Sequence, residues 1–189
     1  MKLKFTFLAS LWAMAAYAQA PMLFTGFDLN PGSAASSPTG LTVLGNKMVF
    51  AAIDATNGTE LWVSDGTTAG TQLLKDIYPG AGNSYPVYFM PAGNKVFFAA
   101  TDGTNGTELW VTDGTTAGTR LVKDIYAGPS DAGITISNMT VLNGKLIFTA
   151  TDGTNGLEPW ISERPKTGTQ MLKDIYSGSA SSTPSQYTV

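Results

Sequence analysis

Glu108-Leu109-Trp110-Val111-Thr112-Asp113-Gly114-Thr115, running on through Thr119-Arg120-Leu121-Val122-Lys123-Asp124-Ile125-Tyr126, is the stretch on which the fold turns. Nearly the same words run upstream from Glu60-Leu61-Trp62 to Lys75-Asp76-Ile77-Tyr78. They return downstream from Glu158-Pro159-Trp160 to Lys173-Asp174-Ile175-Tyr176. The three tryptophans stand 48 and then 50 positions apart, so the chain is a tandem array of units about 49 residues long. In such an array each unit is one supersecondary piece that buries its apolar faces against its neighbours.

Within the middle unit the apolar, aromatic and β-branched runs are short. They are Pro86 to Met90, Lys95 to Thr101, Thr107 to Thr112 and Thr119 to Tyr126. Turn clusters separate them: Pro91-Ala92-Gly93-Asn94, then Asp102-Gly103-Thr104-Asn105-Gly106, then Asp113-Gly114. Asn105-Gly106 predicts a two-residue hairpin turn. The first unit repeats the plan with strands at Leu41 to Leu44, Lys47 to Ala52, Thr59 to Ser64 and Thr71 to Tyr78. The third has them at Ile134 to Leu142, Lys145 to Thr151, Leu157 to Ser162 and Thr169 to Tyr176. No helical period competes, so each unit reads as a four-stranded antiparallel meander.

Val96-Phe97-Phe98-Ala99-Ala100 and Leu109-Trp110-Val111 are apolar on both alternating faces, where a sheet with one wet face would alternate. Stacked sheets supply cover on both sides. The pattern predicts an all-β fold, a β-propeller-like array of four-stranded antiparallel blades with an incomplete ring, since rings take about 4–8 blades. The expected division is 1–20 signal peptide, 21–38 leading strand and linker, 39–84, 85–133 and 134–182 three repeats, and 183–189 the start of a fourth. Leu23 to Asn30 with Pro31-Gly32 resembles Lys75 to Gly80, a fourth strand with no blade of its own. These ends suggest a longer chain, or self-association that closes the ring.

Lys2 and Lys4 ahead of the uncharged run Phe5 to Ala18, with small residues at Ala16, Ala18 and Ala20, predict a secretory signal peptide. The run is shorter than the roughly 20 residues that span a bilayer, and no later segment is long and apolar enough. The mature chain is expected to be secreted or held at a cell surface. It would carry nine basic and fourteen acidic residues, a net charge of −5, and no His or Cys. That balance offers no footprint for nucleic acid or anionic lipid. It also rules out disulfides, the usual zinc and haem ligands, and the commonest general base.

The stretches Glu60 to Thr71 and Glu108 to Thr119 resemble the repeat family named for its Glu-Leu-Trp-x-x-Asp-Gly-Thr motif, found in tandem in exported bacterial proteins. The resemblance covers most of the mature chain and implies a secreted or surface repeat protein with no established catalytic residues. The third copy departs from the motif, with Glu163-Arg164-Pro165 where Asp-Gly-Thr stands in the others. The Asp65-Gly66-Thr67 and Asp113-Gly114-Thr115 turns are also similar to the Asp-box hairpins of sialidase-type propellers. There a short carboxylate serves turn amides rather than a ligand.

One constellation has the chemistry to hold a metal. Asp-x-Thr-Asn-Gly-x-Glu recurs as Asp54, Asn57, Glu60; as Asp102, Asn105, Glu108; and as Asp152, Asn155, Glu158. Calcium takes about 6–8 oxygen ligands, and such a hairpin offers several. A two-residue Asn-Gly turn would set Asp102 opposite Leu109 and Glu108 opposite Gly103, on opposite faces, so that they could share an ion only in an irregular loop. No cofactor is therefore expected, with calcium as the one candidate. Lys75-Asp76, Lys123-Asp124 and Lys173-Asp174 read as a charged edge strand or as carboxylates taking backbone amides. Trp62, Trp110 and Trp160 read as core between blades.

The functional expectation is an exported, non-catalytic binding or scaffold module for extracellular carbohydrate or protein. Its specificity is expected on the linkers 79–85, 127–133 and 177–185, where the units differ most. Alternatives are a calcium-stiffened surface array, or a propeller glycosidase or lyase fragment. The last would need unlike carboxylates, and Asp131 is the one non-repeating acid between units.

Overall fold

The computed structural model of the chain describes residues 28–32, 34–134, 139–163, 168–184 and 187. The expected signal peptide, the run 23–27 of the leading strand and most of the expected start of a fourth unit lie outside the described residues. The chain is all-β, with three four-stranded antiparallel sheets and no helix among the described residues. The first sheet holds β1 (Thr39–Leu44), β2 (Lys47–Asp54), β3 (Gly58–Ser64) and β4 (Gln72–Lys75). The second holds β5 (Val87–Ala92), β6 (Lys95–Thr101), β7 (Thr107–Thr112) and β8 (Arg120–Lys123). The third holds β9 (Met139–Leu142), β10 (Lys145–Ala150), β11 (Glu158–Ser162) and β12 (Thr169–Met171). Each is a meander with its strands in chain order.

The tight two-residue turns fall between the first and second strands of each unit. Leu44 pairs with Lys47, Ala92 with Lys95 and Leu142 with Lys145. Gly45 and Gly93 take positive φ at the first turn position, which a type II′ hairpin requires. Strand β5 therefore runs through Pro91 and Ala92, which the sequence alone places in the turn.

The Asn57-Gly58, Asn105-Gly106 and Asn155-Gly156 dipeptides do not form two-residue turns, whereas Asn143-Gly144 does. Ala100 pairs with Glu108 and Thr101 with Thr107, which leaves a five-residue loop from Asp102 to Gly106. In the first sheet the ladder closes one pair later, with Asp54 against Gly58. The reason is the aspartate, whose carboxylate offers loop amides a nearer acceptor than the opposite strand does. The fourth strands are also shorter than their apolar runs. They end at Lys75 and Lys123, because the next amides turn to a buried glutamate instead of the neighbouring strand.

The sheets stack in sequence order, and among the described residues they form an open stack, not a ring. Leu44, Val49, Ala51, Leu61, Val63, Leu74 and Ile77 of the first sheet meet Phe89, Val96, Phe98, Ala100 and Trp110 of the second. Phe97, Ala99, Leu109, Val111, Val122 and Ile125 of the second meet Met139, Leu146, Phe148, Ala150 and Trp160 of the third. Trp110 and Trp160 thus lie between sheets, and Trp62 lies with Phe50, Ala52 and Leu29 on the far side of the first. Each sheet is oily front and back, and the second and third units each present a Phe-Ala-Trp face to the unit before.

Candidate functional site

The meander topology sorts the connections to two ends of the stack. The linkers and the Asp-x-Thr-Asn-Gly loops share one end, and the Gly-Asn or Asn-Gly turns and the Asp-Gly-Thr loops share the other.

At the linker end, Asp102 Oδ1 accepts from the amides of Thr104 and Asn105, both at 2.9 Å, and Oδ2 accepts from Asn105 Nδ2 at 2.7 Å. Asp54 and Asp152 make the same set with Asn57 and Asn155. Partial burial works against ionisation of these three carboxyls. The amide donors outweigh it, and each sits below the ordinary aspartate value.

The glutamates of the same motif are fully buried and serve a different partner. Glu60 Oε2 accepts the Ile77 amide at 2.7 Å and the Ser84 hydroxyl at 2.6 Å, and Oε1 accepts the Ser84 amide at 2.9 Å. Glu158 repeats this with Ile175 and Ser182. Among the described residues Glu108 accepts the Ile125 and Tyr126 amides alone, at 3.0 and 3.1 Å; Ala132 has no hydroxyl to offer, and its amide goes to Thr107 O. Each glutamate pins the end of its fourth strand, and those of the first and third units pin the linker too.

Asp54, Asn57 and Glu60, with their two sets of counterparts, therefore do not converge. The aspartate and asparagine close the loop, while the glutamate turns into the protein, and no group of three acidic side chains among the described residues gathers around a cation site. Strand register on a two-residue turn would set Asp102 and Glu108 on opposite faces. The structure separates them by competing amide donors.

Burial raises the Glu60 carboxyl above its ordinary value despite the serine hydroxyl. It drives Glu108 up to about 8, since only two amides oppose it and Asp124 and Asp131 add negative charge nearby. Glu158 feels burial least, at the open end of the stack, and its serine and amide donors bring it below the ordinary value. Three carboxylates in one motif thus occupy three electrostatic settings. The Ser84, Ala132, Ser182 series marks only the missing hydroxyl at Glu108; Glu60 and Glu158 both have a serine donor and shift in opposite directions because they are buried to different depths.

Asp131 is a structural acceptor. Its Oδ1 takes the Thr107 amide at 2.5 Å, as Asn83 Oδ1 takes that of Thr59 and Ser181 Oγ that of Leu157. The linkers are accordingly half committed. Residues 83–84, 131–132 and 181–182 tie them to their own sheets, and 79–81, 127–130 and 177–180 carry most of the remaining surface. Asp76 and Asp124 lie just past their strands, not on them. Their Oδ2 atoms accept the Gly80 and Gly128 amides at 3.1 and 3.3 Å.

At the opposite end, Asp113 Oδ1 accepts from both the amide and the hydroxyl of Thr115, at 3.0 and 2.6 Å, and the Thr112 and Thr119 hydroxyls bridge the base of the loop at 2.7 Å. Asp65 makes the same loop with Thr67. These donors hold both carboxyls below the ordinary range. In the third unit Glu163 pairs instead with Lys145 at 2.5 Å, while Ser162 and Thr169 keep the hydroxyl bridge. Between the first two units lies an open groove of about 460 Å³ lined by Leu44, Gly45, Gly93, Asn94, Asp113 and Thr115.

No protein-family model and no curated protein matches the chain. Among solved structures, it is similar over 77% of its length to the computationally designed Ika4 protein, covering 82% of that chain at 25% identity with a TM-score of 0.39. It is similar over 71% of its length to the designed Ika8 protein at 22% identity with a TM-score of 0.35, and spans only 37% of that chain. An α-L-arabinofuranosidase from Clostridium thermocellum aligns over 74% of this chain and 51% of its own, at 17% identity with a TM-score of 0.28.

Proposed function

We propose that this chain is an exported β-propeller-type repeat module that binds or scaffolds extracellular carbohydrate or protein without catalysing a reaction. The observation that carries the reading is where the repeated acids spend their oxygens. The aspartates of the loops and the glutamates of the third strands serve amides and hydroxyls of their own unit, which supports a scaffolding role for the motif. Surface variation is left to the outer parts of the linkers, 79–81, 127–130 and 177–180. Rigid sheets displaying unlike loops on a common end suit recognition.

A glycan array with the mature chain, repeated after residues 79–82 are exchanged for 127–130, tests this. The exchange keeps the anchoring residues in place. Binding that changes with the exchange supports the reading, and unchanged binding moves the ligand off the linkers. Hydrolysis of any arrayed glycan would contradict the non-catalytic assignment.

A further inference from the structure

The third sheet has an outer face whose centre, at Ile147 and Thr149, is buried, while its flanks are exposed where those of the first two sheets are covered. Leu172 is 47% exposed, where its equivalents Leu74 and Val122 are 4% and 1%. Ile175 is 60% exposed, against 3% and 4% for Ile77 and Ile125. Leu142, on the opposite edge strand, and Tyr176 are exposed as well, and their equivalents Leu44, Ala92, Tyr78 and Tyr126 are buried or half-buried. Leu41, Val43, Tyr85 and Val87 are exposed elsewhere, but these four side chains stand where the equivalent positions of both other units are covered.

The molecule itself contains the cover for this face. On the first sheet it is the Phe98-Ala100-Trp110 face of the second, laid over Leu74 and Ile77. The fit has polar and steric fixtures. Thr116 Oγ1 donates to Leu74 O at 2.9 Å, Leu44 lies 3.3 Å from where a Cβ on Gly114 would stand, and the Tyr78 ring packs so close to Gly103 that no Cβ fits there. The Tyr78-to-Gly103 fixture recurs between Tyr126 and Gly153. The strand ladder is also bridged across the joint, with Thr101 N donating to Ser84 O at 3.0 Å and Thr151 N to Ala132 O at 2.9 Å. Ser182 holds the same place in the third linker. Pro184 and Tyr187 reach the middle of the third sheet's outer face, for Thr149 Oγ1 donates to Pro184 O at 3.1 Å and lies 3.0 Å from Tyr187 Oη.

We infer that the Leu142, Leu172, Ile175, Tyr176 face is the seat of a fourth four-stranded unit of this repeat, joined in tandem through residues 182–184. The occupant presents a Phe-Ala-Trp face to Leu172 and Ile175, an Asn-Gly loop whose leading glycine lies under Tyr176, and an intact Asp-Gly-Thr loop over Leu142. The second unit carries all three features, so it serves as the probe.

The test replaces residues 184–189 with a copy of 86–133, so that the copied unit follows its own kind of linker. Hydroxyl-radical footprinting then reads Tyr176 and Leu172, and urea unfolding reads cooperativity. A docked unit lowers Tyr176 reactivity to that of Tyr78 and Tyr126, and one transition carries an m-value about a third larger, as four sheets replace three. Ile175→Glu in the extended chain splits that transition in two. A copied unit that unfolds separately, or a Tyr176 as reactive as in the unextended chain, overturns the inference. Sedimentation of the unextended chain as a dimer with Tyr176 protected would assign the face to a second copy and overturn it equally.

Discussion

Replacing Ala132 with serine isolates the electrostatics of the buried glutamates. Glu108 and its counterparts occupy one position of the repeat, yet only Glu108 lacks a hydroxyl donor, because Ser84 and Ser182 give way to Ala132. A carboxyl that ordinarily titrates near 4.5 is pushed to about 8 at Glu108, chiefly by burial. The folded state therefore binds a proton that the unfolded chain releases, and stability is lost as pH rises from about 4.5 through about 8. At about 1.4 kcal/mol per pKa unit, full ionisation costs at most about 5 kcal/mol. Ser84 and Ser182 place their hydroxyls 2.6 Å from the glutamate oxygen, so a serine at 132 has a tested geometry to adopt. A hydrogen bond to an ionised group contributes about 1.5–3 kcal/mol, while the neutral acid gains less from the same donor. The expected result is a rise in melting temperature at pH 8.5 of roughly 4–8 °C for about 2 kcal/mol, shrinking toward zero at pH 5. Differential scanning calorimetry across that range reads both. An equal rise at both pH values, or none at pH 8.5, would refute the claim that Glu108 is short of donors.

Further outcomes follow from the same contacts. Asp131→Asn should leave the melting temperature at pH 5 nearly unchanged, since Asn83 does the same work in the first unit, and should raise it at pH 8.5 by removing a charge near Glu108. A large loss at pH 5 would show that Asp131 does more than accept the Thr107 amide. Gly118→Ala should destabilise by about 1–3 kcal/mol, because its Cβ would overlap the Asp113 carboxylate and open the Asp113–Thr115 loop; thermal melts check it. Trp110→Ala should cost about 3–5 kcal/mol in urea unfolding, since Trp110 fills the joint between the first two sheets. Millimolar calcium should not move the melting temperature, because the Asp102 oxygens are occupied by its own loop and Glu108 faces away; a rise would mean an ion displaces those donors.

The period, the four strands of each unit and the need for cover on both sheet faces were legible in the residues alone. Repetition and two-faced apolarity are local patterns, and burial of Trp110 and Trp160 between sheets follows from them. Hairpin register was not legible. Asn105-Gly106 carries the usual turn signal, but the Asp102 carboxylate captures the loop amides and widens the turn to five residues. The ends of the fourth strands were hidden for a like reason, since Ile77 and Ile125 give their amides to a glutamate 17 residues earlier in the chain.

What the chain determined by itself is its class, its repeat and its stacking habit. Tertiary structure alone decided the roles of Glu60, Glu108 and Glu158, because a glutamate in a strand becomes a linker anchor only once the linker has come back to it. It also decided that three like residues titrate differently. Desolvation and donor count depend on what the fold brings within hydrogen-bond reach, and an amino-acid string does not carry that distance.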